Sequence, residues 1–205
     1  ALTAAQVAAL STEQLAGLST TALTHISTSA VAQLRTAQIA SLTTQQASNL
    51  SSTSVQALSA LQLAAMETAD LAVLSSTNLA ALSSAQLKGL TTTQVSSLST
   101  TALSQLSTGA LSGLTSAQMV SLTTAQVSDL TTTMVKALST GQLAAMETAD
   151  VAVLNSSNLA VLSSVQVQAL TTAQIVGLTT KQISDLNTVT LQALSAKQIT
   201  ALETG

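Results

Sequence analysis

The 205-residue chain has no cysteine, no proline and no aromatic residue, and only 6% of it is charged. Each absence excludes something. Without cysteine there are no disulfides and no thiolate metal sites, and the redox compartment stays open. Without Phe, Tyr or Trp there is no stacking platform for bases or sugars. The formal net charge is −3, and the five basic residues, Arg35, Lys88, Lys136, Lys181 and Lys197, lie far apart. No basic patch of the kind that holds nucleic acid follows from that spacing. Long apolar runs are missing too. Mean hydropathy is +0.50, yet Ser or Thr interrupts about every eighth position, so nothing approaches the ~18 apolar residues of a transmembrane helix. The first residues show no basic stretch followed by an apolar core, so no secretion signal is visible in this segment.

What remains is 46% hydrophobic, mostly Leu, Ala and Val, with Ser, Thr and Gln filling most of the rest. That is too apolar and too weakly charged for a disordered chain. It is the bias of a short unit multiplied many times. Written in eights from Thr3, the sequence falls into 25 complete octads over residues 3–202 with no insertion or deletion. Position 8 is Leu in 22 octads, the exceptions being Ile26, Met66 and Met146. Position 5 is a large aliphatic residue or Met except at Ala47. Position 1 is Ser, Thr or Asn except at Arg35, Glu67 and Glu147, and position 4 is Gln in 14 octads. A slower repeat overlies this one. SALQLAAMETADLAVL at 59–74 returns as STGQLAAMETADVAVL at 139–154, an offset of 80 residues that suggests block duplication. Ala1-Leu2 and Glu203-Thr204-Gly205 are incomplete octads with no polar capping repeat, so residues 1–205 read as one continuous array cut from a longer one, or as copies that join end to end.

Neither simple periodicity accommodates an octad. On one continuous helix eight residues advance about 800°, and the resulting drift of roughly 80° per octad would wind the Leu stripe around the axis. On a strand, positions 5 and 8 differ in parity and face opposite sides. A repeated helix start does fit. Ser or Thr at position 1 with Gln at position 4 has capping-box spacing: the hydroxyl accepts from the position-4 N–H, and the Gln side chain accepts from the position-1 N–H. Leu at position 8 then lies at N′ and the aliphatic at position 5 at N4, the spacing of a hydrophobic staple. Leu10, Ser11, Gln14 and Leu15 are one instance, and Leu170, Thr171, Gln174 and Ile175 another. Positions 2 to 8 are expected to form about two helical turns. Two buried aliphatic side chains cannot offset the entropy of ordering eight residues, so an octad must be stabilised by stacking. The predicted fold is an all-α solenoid of short helices, one per octad, with two to four octads per coil and with Ala-rich positions 6 and 7 buried between neighbours. Gly17, Gly89, Gly113 and Gly177, all at position 7, fit close helix approach there.

Candidate sites are few. His25 is the only histidine and has no partner of ligating type nearby in sequence, whereas structural zinc takes four ligands. Glu67 with Asp70 and Glu147 with Asp150 are the only paired carboxylates. Calcium wants six or more oxygens, so acidic residues in the first turn of a helix are the simpler reading. The many hydroxyls have no base and orienting group to activate them, and no phosphate-binding glycine loop occurs. Met66, Met119 and Met146 stand at core positions, and Met134 at the usual Gln position. No catalytic residue, cofactor or metal site is expected.

The motif L-[ST]-[ST]-x-Q-h-x-x-L, as LTTAQVSDL at 122–130 and LTTAQIVGL at 170–178, resembles the octad arrays of very large bacterial adhesin-like repeat proteins. That resemblance covers the whole chain and implies an extracellular or cell-surface spacer, stalk or self-assembling filament. Its partners would be neighbouring repeats or further copies, associating end to end or laterally. The alternative expectation is a binding module that presents regular Ser/Thr rows to ice, a polymer or another surface.

Overall fold

The structure, a computed structural model, describes residues 3–204, and among these it contains helices and no strands. Ala1, Leu2 and Gly205, on which the reading of the chain ends partly rests, lie outside the described residues. Twenty-five helices follow one another from α1 (Ala4–Ala9) to α25 (Ala196–Thr204), with helix αn in octad n. The fold is the predicted solenoid of short helices.

Each cap explains where its helix begins. In the octad starting at Ser83, the Gln86 N–H donates to Ser83 Oγ (3.2 Å) and the Ser83 N–H donates to Gln86 Oε1 (3.0 Å). The same reciprocal pair occurs in every octad that joins Ser or Thr at position 1 to Gln at position 4. Helix ends differ from expectation. Apart from α25, the helices run four to six residues and stop at position 5, 6 or 7. Two full turns do not form because the position-8 residue leaves the helical region where the aliphatic side chain turns inward. Leu90 has φ −63° and ψ 147°, and the next N-cap, Thr91, is extended as well at φ −71° and ψ 157°. Two successive extended residues redirect the chain with ordinary dihedrals, and no described residue has a positive φ. A sequence without proline and with only seven glycines can therefore turn every eight residues.

Positions 4, 5 and 8 face inward, and positions 1 to 3 mostly face outward. In the octad 83–90, Gln86, Leu87 and Leu90 are buried while Ser83, Ser84 and Ala85 are exposed. The expected burial of position 6 does not occur: Ala40, Ala72, Ala80 and Ala160 are exposed. At about 100° per residue, position 6 falls nearly opposite the face shared by 4, 5 and 8.

Two compact units form, Ala1–Gly113 and Leu114–Gly205. In the first, α5 (Thr36–Ala40) packs on α8 (Ala60–Ala65), α8 on α11 (Ser84–Gly89), and α11 on α14 (Thr108–Leu111). In the second, α15 (Ser116–Ser121) packs on α18 (Thr140–Ala145), and α18 on α21 (Ser164–Ala169). The closest approaches are at position-7 glycines. A Cβ on Gly89 would overlap Ala60, one on Gly113 would overlap Ser84, and one on Gly177 would overlap the Thr148 side chain. Gly17 differs, since such a Cβ would meet only its own turn, at Glu13 and Gln14. At Gly89, Gly113 and Gly177 the end of one helix thus crosses the start of the helix three octads before it.

Candidate functional site: the buried position-four ladder

The glutamines that close the capping boxes do a second job. Oε1 of Gln94 accepts from the Thr91 N–H at 2.9 Å, while its Nε2 donates to the carbonyls of Leu63 (2.9 Å) and Met66 (2.8 Å) in the octad four units earlier. Gln38 donates likewise to Val7 and Leu10, both at 2.9 Å, and Gln46 to Leu15 (2.9 Å) and Leu18 (2.8 Å). In the second unit Gln174 reaches Leu143 and Met146, Gln182 reaches Val151 and Leu154, and Gln198 reaches Val167 and Leu170. The acceptors are the carbonyls of positions 5 and 8: the first already accepts from the position-8 N–H of its own octad, as Leu63 does from Met66 at 3.1 Å, and the second lies past the helix end, where no helical partner follows. One carboxamide therefore starts its own helix and finishes another.

The separation from amide to position-8 carbonyl is 28 residues in each case. This places the start of octad n+4 over the end of octad n. The glycine contacts place the end of octad n+3 over its start. Within each unit, one coil therefore takes about 28 residues, or roughly three and a half octads. That lies inside the expected range and is not a whole number.

Sequence reasoning assigned Gln only its capping role. The overlooked signal is that Glu, which closes a capping box as well as Gln does, never occupies position 4 in any octad. A carboxylate can accept from the N-cap but has no hydrogen to donate onward, whereas an amide does both. Where Asn stands instead, the shorter side chain keeps the onward bond: Asn78 Nδ2 donates to Leu50 and Asn158 Nδ2 to Leu130, both at 2.9 Å across 28 residues. Beside one position-4 alanine, Ala102, a hollow opens. Ala102 lines a cavity of about 130 Å³ together with Leu74, Leu79 and Ser99. The N-cap exception Arg35 contributes differently, with Nη2 donating to the Leu10 carbonyl at 3.0 Å beside the Gln38 amide.

The remaining candidates fall into place on this frame. His25 is exposed at the C-cap of α3 (Thr20–Thr24). Met66, Met119, Met134 and Met146 are buried in the core. Glu67 and Glu147 are exposed N-caps without a side-chain cap bond. Asp70 and Asp150 do stand in the first turns of α9 (Thr68–Ala72) and α19 (Thr148–Val153), but they are buried, only 1% and 2% exposed. Burial pushes the Asp70 carboxyl above the ordinary range; the Thr44 hydroxyl partly offsets this and the Glu67 charge adds to it. Burial raises Asp150 likewise, helped by Glu147 and opposed by hydrogen bonds from Glu147 and Thr124. Asp185 is held below its usual value by the Lys181 ammonium at 2.8 Å and by the Ser156 hydroxyl, in an exposed pair. Among the described residues no three His, Cys, Asp or Glu side chains group as a metal site would need, and no helix is long and apolar enough to cross a membrane.

Octads stacked within each unit and stitched there through a repeated side chain define a helical repeat array. The ALTTAQ repeat model matches residues 7–44, 63–100 and 143–180, together more than half of the chain, and the chain belongs to that family. The six letters of the repeat's name stand unaltered at residues 169–174, from the end of one octad to the Gln of the next. No curated protein matches the chain.

Proposed function

We propose that the chain is a non-catalytic structural scaffold, a spacer, stalk or filament segment of a bacterial extracellular protein. The observation that supports this reading is the recurrence of one contact, position-4 amide to position-8 carbonyl, in octad after octad of both units. Adding an octad adds the same bonds and the same buried aliphatic pair, so length can grow without redesign. Its partners are further octads of the same kind, through end-to-end or lateral association of copies. Chains carrying one, two and three 80-residue blocks test this by small-angle scattering and electron microscopy. The long dimension should rise in proportion to block number. Particles that stay globular as blocks are added would refute the spacer reading.

A second reading is a binding module. It is favoured by the outward placement of the Thr- and Ser-rich positions 1 to 3, of which position 1 is engaged in caps and position 2 presents hydroxyls such as Thr92. Ice is the sharpest probe. Thermal hysteresis that is lost on Thr→Leu changes at position 2 would establish this reading, and no hysteresis in the unaltered chain would end it for ice.

A further inference from the structure

Two rungs of the ladder carry a carboxyl where the register demands a donor. Asp70 and Asp150 occupy position 4, and in each the Oδ2 atom is buried with no hydrogen-bond partner. The carbonyls that their register faces belong to Leu42 and Leu122, at the 28-residue separation of every other rung. Asn78 and Asn158, with side chains of the same length, span that separation at 2.9 Å through Nδ2. A carboxylate in that place turns lone pairs toward a carbonyl oxygen in a site shielded from water. A carboxylic acid turns an O–H toward it. We infer that Asp70 and Asp150 are proton-operated rungs: the neutral carboxyl donates to the Leu42 or Leu122 carbonyl as an amide does elsewhere, and ionisation opens that coil-to-coil contact.

The surroundings offer no competing cation. The elements packed on α9 are α6 (Thr44–Ser48) and α12 (Thr92–Ser97), neither of which carries a charged residue. The octad that supplies the Leu42 carbonyl carries Arg35, whose guanidinium is committed to Leu10. The elements packed on α19 are α16 (Thr124–Ser128) and α22 (Thr172–Val176), again without charge within their bounds, and Asp129 follows α16. The nearest charge on each aspartate's own octad, Glu67 or Glu147, is of like sign and favours the proton further.

The sign of the pH dependence follows. Both carboxyls are raised in the folded chain, so each contributes stability that is complete below the unfolded aspartate value and is lost as pH rises through the folded one. Most carboxylates with favourable partners act the other way. Between the two values the unfolding constant changes by up to about tenfold per pH unit for each site.

Urea unfolding from pH 4 to pH 7, with the carboxyl ¹³C shifts followed by NMR, tests this on the unaltered chain and on the double variant Asp70→Asn, Asp150→Asn. The unaltered chain should lose stability as pH rises through this window, with both aspartates titrating above the ordinary range. The Asn variant should lose that slope and exceed the unaltered chain at pH 7. Aspartates that titrate at or below the ordinary value, or an Asn variant that keeps the slope, would overturn the inference. So would neutral-pH stability that rises with sodium, potassium or calcium, because a bound cation would then fill the place assigned to the proton. The NMR titration decides the matter even if the variant fails to fold.

Discussion

Residues 83–98 and 99–114 are adjacent pairs of octads with the same aliphatic pattern but different side chains at position 4. The first pair carries Gln86 and Gln94, the second Ala102 and Ala110, and all four are buried. Both pairs retain their N-caps: Ser99 Oγ and Ser107 Oγ accept from the Ala102 and Ala110 N–H at 3.0 and 3.1 Å. The helices differ. Those of the glutamine pair, α11 and α12, have six residues each, whereas α13 (Thr100–Ser104) has five and α14 has four. A hydroxyl cap and two inward aliphatic residues are thus enough to make an octad. Helix length does not track the glutamine elsewhere, since α16 and α22 carry it with five residues and α19 lacks it with six; what the glutamine adds is the stitch to the coil beneath.

Five substitutions sharpen or break that comparison. The largest effect is expected where the pairs are alike. Leu87→Ala and Leu103→Ala remove side chains that are 0% and 1% exposed, and each should cost about 2–5 kcal/mol in urea unfolding. A large inequality between them would mean that the aliphatic core is not shared evenly by the two stretches. Gln94→Ala comes next. It leaves the Met66 carbonyl and the Thr91 N–H without a partner and removes one of the two bonds to the Leu63 carbonyl, at a cost of about 1–3 kcal/mol. If it cost nothing, the ladder would be ornamental. Ala102→Gln runs the exchange in reverse, filling the hollow beneath Leu74 and gaining about 1 kcal/mol. Smallest of all is Lys181→Ala, which breaks an exposed pair and should leave the melting temperature unchanged. It should nevertheless raise the Asp185 pKa toward its ordinary value, readable by NMR.

Much of this was legible in the sequence because the octad signal is local. Ser or Thr at position 1 and Gln at position 4 lie within one turn of each other, so the cap they form can be read without knowing what packs where. The aliphatic residues at 5 and 8 mark the core for the same reason. What lay hidden is what depends on the neighbouring coil. The Gln94 amide meets the Met66 carbonyl across 28 residues, a distance that no octad states. The coil length follows from that contact, so it could only be bracketed beforehand. Position 6 was placed in the core because Ala is common there, and the short helix turned it outward. Asp70 and Asp150 read simply as first-turn acids because dipole reasoning concerns only the helix that bears them. Their burial comes from the coil that faces them.

The central claim is that the position-4 amides are bonded inside the stack. Hydrogen exchange of the glutamine carboxamide protons, followed by ¹⁵N NMR, addresses it directly. The twelve buried position-4 glutamines, Gln38 through Gln198, should exchange slowly, while Gln6 and Gln14, which have the same capping bonds but are exposed, should exchange at solvent rates. Uniformly fast exchange at all fourteen would contradict the account.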